Sequence, residues 1–146
     1  MTEAGEADAE AVRALFREYF AWLGSQGWSA DVEAELAALP GGWESLLIAR
    51  LDGDVVGCVA LRRLGGDACE MKRLYVRPAA RGSGAGRSLV AASLARAREL
   101  GFGVMRLDTL PTMDAAQELY RSFGFSPVGR YNDNPVSGAL FFELRL

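Results

Sequence analysis

The spacing of apolar positions along this chain changes several times, and each change marks an element. From Ala7 to Leu23, the residues Val12, Leu15, Phe16, Tyr19, Phe20 and Leu23 recur at helical spacing, which predicts an amphipathic helix ended by Gly24. Ser29 is placed to N-cap a second helix, ADVEAELAAL, with acids in its first turn and Pro40-Gly41-Gly42 to stop it. The period then falls to two. SLLIARL reads as a strand, Asp52-Gly53-Asp54 as a hairpin turn and VVGCVALRRL as the returning strand. Leu64-Gly65-Gly66-Asp67 is a second turn and ACEMKRLYV a third strand, so the three form an antiparallel meander.

The alternation of the third strand slips. Cys69 and Met71 are apolar on odd positions, Leu74 and Val76 on even ones, with the break around Lys72 and Arg73. One extra residue in a strand is the sequence signature of a β-bulge, which would splay this strand and leave backbone groups free for a ligand. The alternative is that Tyr75 is the inward residue and no slip exists.

Beyond Pro78, the run Arg81-Gly82-Ser83-Gly84-Ala85-Gly86 opens a long helix with Gly86, Leu89, Val90, Ser93, Ala97 and Leu100 on one face and Gly101 at its end. GVMRLDTL is a further strand, reached by a crossover and so expected to lie parallel to the third. Pro111-Thr112 opens a short helix striped with Ala116, Leu119, Tyr120 and Phe123 and closed by Gly124. FSPVGRY and ALFFELRL read as a terminal strand pair around the polar loop Asn132-Asp133-Asn134-Pro135. For Trp22, Trp28 and Trp43, core packing is the expectation, with a pocket wall as the alternative.

Composition narrows the classes. The 146 residues fit one domain, with no apolar run long enough to span a membrane and no basic or apolar leader in MTEAGEADAE, so a cytoplasmic protein is expected. Cys58 and Cys69 both fall in strand-like runs, and the chain has no histidine, so neither a disulfide framework nor a metal site is expected. Residues 1–40 carry eight acids against two arginines, whereas residues 62–106 carry ten basic groups against three acids. An acidic whole argues against nucleic acid as a partner; a basic middle suits a compact polyanion such as a nucleotide cofactor.

A glycine-rich turn opening a helix is an anion site, because unpaired amides and the positive helix end converge there. Three phosphate motifs compete for it. A Walker loop needs a lysine before Ser or Thr, where Arg87 stands before Ser88. A dinucleotide fingerprint would need a small residue at Arg87 and parallel βαβ units upstream, where the meander lies. The third fits: Arg81 to Gly86 matches the pattern Arg/Gln-x-x-Gly-x-Gly/Ala and resembles the acyl-CoA loop of the GCN5-related N-acetyltransferases, the GNAT superfamily. LYVRPAARGSGAGRSLV is similar to that family's strand-turn-helix core, and AAQELYRSFGF to its downstream helix. The resemblance covers roughly residues 45 to 146, with the two N-terminal helices in the order it implies. The family's first strand is short, atypical or missing in MTEAGEADAE, and Met113 stands where many members have a cofactor-contacting asparagine.

The resemblance implies a mixed α/β fold of α+β type: a central, mostly antiparallel sheet flanked by about four helices, with the bulge in the strand before the acyl-CoA loop. It implies direct transfer of acetyl from acetyl-CoA to a primary amine, with a small molecule expected as acceptor, no metal, and a homodimer left open. Amides of Gly82, Ser83, Gly84, Ala85, Gly86 and Arg87, with Arg81, would hold the pyrophosphate. Leu74, Tyr75 and Val76 would pair with the pantetheine arm, Ala116 would contact the cofactor, and Tyr120 would donate a proton to the leaving thiolate. Glu70, eleven residues before Arg81, matches where some members place a glutamate base; the competing reading pairs it across the sheet with Arg62 or Arg63. A nucleophilic cysteine is not expected, since no histidine activates one. A non-catalytic acyl-CoA sensor and a peptide N-acetyltransferase are the alternative functions.

Overall fold

A computed structural model describes residues 1–24 and 32–146, so Trp28 and the cap expected at Ser29 lie outside the described residues. In chain order the elements are β1 (Thr2–Glu3), α1 (Ala9–Leu23), α2 (Val32–Ala38), β2 (Ser45–Leu51), β3 (Asp54–Gly65), β4 (Ala68–Val76), α3 (Ala85–Glu99), β5 (Val104–Thr109), α4 (Asp114–Ser122), β6 (Ser126–Val128) and β7 (Leu140–Arg145). The strands form one sheet in the order β1-β2-β3-β4-β5-β7-β6. The expected meander is present, and β4 and β5 form the parallel pair. This is the mixed, mostly antiparallel sheet with four helices that the resemblance implied.

Period-two alternation divides the core between the two faces of the sheet. Leu46, Ile48, Cys58, Ala60 and Tyr75 face α1 and α2, which contribute Val12, Leu15, Phe16, Phe20, Val32 and Leu36. Leu47, Ala49, Val59, Leu61, Cys69 and Met71 face α3 and α4, which contribute Leu89, Val90, Leu94 and Tyr120. Burying such a side chain contributes about 1.5–3 kcal/mol, so alternation errors are expensive.

The slip in β4 is a real bulge. Cys58 pairs with Tyr75 and Ala60 with Lys72, so the single residue Val59 lies opposite the two residues Arg73 and Leu74. Arg73 takes φ +58°, the left-handed region a non-glycine residue occupies at about 1–3 kcal/mol. The extra residue keeps Leu74 and Val76 on the same face as Cys69 and Met71. The strain is offset locally as well. The Arg73 guanidinium donates twice to Glu35 of α2 and lies over the rings of Phe20 and Trp43. Gly57 of β3 sits against this region, where an added Cβ would meet Leu89 Cδ1 and the Tyr75 carbonyl oxygen, each at 3.0 Å.

One sequence expectation is narrowed and two change. The first strand exists but is only two residues long, held because the Glu3 carboxylate accepts from the Ser45 hydroxyl and from the Leu46 N–H at 3.1 Å. The FSPVGRY strand is cut to Ser126–Val128, because residues 129–139 leave the sheet and polar side chains among them turn toward the carboxylates of Glu70 and Asp108. Trp22 is 52 % exposed rather than core, whereas Trp43 packs edge-on against Phe16. Among the described residues no helix is long and apolar enough to cross a membrane.

Candidate active site

β4 and β5 pair only over Ala68–Glu70 against Val104–Arg106. Beyond that point β4 stays with β3, while Leu107, Asp108 and Thr109 stay with β7. The two strands therefore diverge, and a cavity of about 530 Å³ opens between them. Met71 to Leu74 form one wall; Asp108 to Leu110, with Met113, Ala116 and Tyr120, form the other. Tyr19, Phe20 and Trp22 of α1 and the loop segment Asn132–Val136 close the remaining sides.

Strand alternation decides which backbone groups face this divergence. The Arg77 N–H donates to the Val56 carbonyl of β3 at 2.8 Å, and Tyr75 pairs with Cys58. The N–H and C=O of Leu74 and Val76 therefore point away from β3, toward the split. The Val76 carbonyl accepts from Arg81 Nε at 3.0 Å, and the Arg81 guanidinium lies over the rings of Trp22 and Tyr75. The Tyr75 ring turns to the opposite face of the sheet and packs against Tyr19 and Trp22.

At the end of β4 a short turn, Pro78–Ala80, leads to the glycine loop. Gly82 and Gly84 take φ +85° and +88°, with Gly84 as the N-cap of α3. Nothing lies within 4 Å of an added Cβ at either position, so glycine is there for its conformation and the loop surface stays open. The first α-helical bond runs from the Ser88 N–H to the Gly84 carbonyl, which leaves the Gly86 and Arg87 amides ahead of the ladder. The Ala85 N–H is taken by the Ser83 hydroxyl at 3.3 Å. A cradle of open amides at the start of a fifteen-residue helix, beside a strand edge without a sheet neighbour, suits a pyrophosphate joined to an extended amide arm. Gly82 to Arg87 lie outside the cavity lining, as do Val76 and Tyr75; Leu74, Ala116 and Tyr120 are part of it.

Tyr120 projects from the buried stripe of α4 between Phe125 and Phe142. Its hydroxyl has no hydrogen-bond partner among the described side chains, yet the residue lines the cavity. Burial, and then the nearby Tyr19 and Asp108, push its pKa well above the usual phenol value. Tyr19 faces the same cavity; burial dominates there too and pushes it up to about 12, against the lowering effect of Arg73. Both phenols are thus protonated at neutral pH. The cysteine thiols are buried and pushed up, Cys58 to about 12 and Cys69 to about 11, so neither is a thiolate nucleophile.

Two carboxylates sit where the strands part. Glu70 is fully buried and does not line the cavity. Its Oε1 accepts from Arg62 Nε at 2.5 Å, and its Oε2 from the Tyr131 hydroxyl at 2.5 Å and Asn132 Nδ2 at 3.1 Å. The cross-strand partnership with Arg62 is therefore present, whereas Arg63 pairs with Glu44. Asp108 does line the cavity. Burial alone would raise its pKa, but Lys72, Asn132 and Asn134 outweigh burial and hold the carboxyl below its ordinary value. Lys72 Nζ reaches Asp108 at 3.2 Å and Glu70 at 3.8 Å, linking the pair.

Sequence reasoning did not single out Lys72 or Tyr131 as functional, and weighed Asp108 only for a dinucleotide site. Asp108 carried a usable signal, since it is the one acid in the run GVMRLDTL. Tyr131 carried none.

A family model described as the Acetyltransferase (GNAT) family matches residues 9–125. An uncharacterised N-acetyltransferase of Schizosaccharomyces pombe is 37 % identical over 147 residues, covering 95 % of this chain and 89 % of that protein. Among solved structures, a Klebsiella pneumoniae protein assigned to the acyl-CoA N-acyltransferases superposes with a TM-score of 0.82 and 31 % identity, covering 99 % of this chain and 95 % of the other. YncA of Salmonella typhimurium, an assigned acetyltransferase solved with its cofactor acetyl-CoA, shares the fold at a TM-score of 0.77 and 24 % identity, covering 99 % and 91 %.

Proposed function

This chain belongs to the GNAT acetyltransferase family, and from that premise we propose that it acetylates a primary amine on a small molecule by direct attack within a ternary complex. Acetyl-CoA is the co-substrate; when bound it supplies a thioester carbonyl that releases a thiol as the amide forms. The observation that carries the reading is the parting of β4 from β5 beyond Glu70, with an unpartnered Tyr120 hydroxyl facing the space between them. The open glycine-loop amides of Gly82, Gly84, Gly86 and Arg87, with Arg81, are assigned to the pyrophosphate; the Ser83 and Ala85 amides, expected to join them, are bonded within the loop. The free edge at Leu74 and the Val76 N–H is assigned to the pantetheine arm, with a β4 amide polarising the thioester oxygen; Tyr75, expected to join them, pairs with Cys58 instead. Ala116 lines the α4 side of the same channel. Walls on the acceptor side, from α1 and the 132–136 segment, favour a small acceptor over a long peptide. We place the reaction in the cytoplasm.

Tyr120 is assigned as the acid. Its phenol is protonated at neutral pH and lines the cavity, so it can hand its proton to the departing sulfur as the C–S bond breaks. Glu70 is proposed as the base that removes the ammonium proton before attack. A second reading, favoured by its complete burial and its hydrogen bonds to Arg62, Tyr131 and Asn132, makes Glu70 an anchor for the cavity wall.

Thiol release tests the activity. Purified protein with acetyl-CoA and a panel of amines is expected to release free thiol above the amine-free background. Acetyl-CoA binding with no release for any amine would leave an acyl-CoA sensor instead.

A further inference from the structure

Residues 129–139, between β6 and β7, have no ladder pairing, yet Asn132–Val136 form a wall of the cavity. A connection of this length without regular structure holds its position only if side chains tie it down. Here three side chains of the loop do so, and all on the same two carboxylates. The Tyr131 hydroxyl donates to Glu70 Oε2 at 2.5 Å. Asn132 Nδ2 bridges the two acids, at 3.1 Å from Glu70 and 2.9 Å from Asp108. Asn134 Nδ2 donates to Asp108 at 3.1 Å. The acids come from β4 and β5, one at the last paired position and the other just past it.

A carboxylate with no exposed surface is costly unless its lone pairs are satisfied, and Arg62 takes only one of the two Glu70 oxygens. The loop donors therefore satisfy Glu70, while Glu70 orders the loop. Tyr131 does not line the cavity, so its hydroxyl acts through the wall rather than on a ligand.

We infer that Tyr131, Asn132 and Asn134 are positioning residues: their hydrogen bonds to Glu70 and Asp108 latch the 129–139 loop as the acceptor-side wall, and so set which amines fit. The latch sits where β4 and β5 part, whereas the glycine loop follows the opposite end of β4, so the latch governs the acceptor and not the acyl donor. The acceptor half of the inference rests on the acetyl-transfer reading; the latch itself does not.

The test uses the full chain and Tyr131→Phe, which keeps the ring packed on Phe141 at 5.4 Å and removes only the hydroxyl. Hydrogen–deuterium exchange is expected to quicken about tenfold in residues 129–139, the scale of one hydrogen bond to a charged group, with residues 82–87 unchanged. The acetyl-CoA dissociation constant, by calorimetry, is expected to stay within about twofold, while KM for tyramine, spermidine or an alanine-initiated tripeptide rises about tenfold with a smaller change in kcat. Asn132→Ala provides a second variant that breaks the bridge between the acids and is expected to repeat the pattern. Unchanged loop exchange in both variants would overturn the latch, and so would loosening of the donor site in step with the acceptor site. If the wild type acetylates none of the three amines, the acetyl-transfer reading fails with them, while the exchange measurement still decides the latch.

Discussion

Arg73 and Glu35 meet in a two-pronged pair, Nε to Oε2 and Nη2 to Oε1, both at 2.8 Å. The pair joins the bulge of β4 to α2 and holds a left-handed arginine where the strand turns away from β5. Both side chains are about one-fifth exposed, 20 % and 21 %, so the contact is shielded without being fully desolvated. Glu35→Gln is expected to lower stability by roughly 1–2 kcal/mol, read as a fall in Tm, and to lower turnover as the bulge relaxes. An unchanged Tm and unchanged turnover would show that the bulge holds without the pair.

Tyr120→Phe removes a hydroxyl that no described side chain binds, so its Tm is expected to stay close to wild type. Turnover is expected to fall by about 10²-fold or more, the usual contribution of a positioned acid, with acetyl-CoA affinity nearly unchanged. Turnover equal to wild type would remove Tyr120 from the mechanism.

For Glu70→Gln, the pH profile separates its two proposed roles. As the base, Glu70 matters most where the amine is hardest to deprotonate, so the ratio of wild-type to variant rate is expected to grow as pH falls. A flat ratio, with a raised amine KM, assigns Glu70 to the wall alone.

Asp108 has a folded-state pKa below its ordinary value, so its contribution to stability is present above the unfolded carboxylate range and lost as pH falls through the depressed folded value. The stability gap between wild type and Asp108→Asn is therefore expected to be full above about pH 4 and to close in more acidic solution. Chemical denaturation at several pH values measures it. A gap that persists unchanged at the acid end would contradict the assignment of the lowered pKa to the Lys72, Asn132 and Asn134 contacts.

The meander, the crossover helix and α1 were legible because period two and period 3.6 are properties of consecutive residues. The bulge was legible for the same reason: Cys69, Met71, Leu74 and Val76 show the slip within eight residues. The glycine loop was legible because its left-handed positions need glycine. What could not be read was anything anchored at long range. Tyr131 and Glu70 are 61 positions apart, and no local pattern couples a tyrosine after a short strand to an acid in the middle of the sheet. The strand expected through Gly129–Tyr131 failed on the same account, since the Tyr131 hydroxyl serves Glu70. The two-residue β1 is invisible to periodicity, being held by the Glu3 side chain rather than by an apolar run.

The final strand has a consequence for how the protein is made. β7 is inserted between β5 and β6, and the Leu146 N–H closes on the Gly103 carbonyl, so the wall of the cleft that carries Asp108 is backed by a strand that follows it by some thirty residues. β5 gains its permanent neighbour only after β7 has been synthesised, more than thirty positions later. Up to that moment the amino-terminal half can fold on its meander, but the catalytic cleft has only one finished side. A chain stopped before Leu140 is accordingly expected to keep the α1–β4 half protected from protease and to bind no acetyl-CoA; cofactor binding by such a chain would show that the cleft forms without its backing strand.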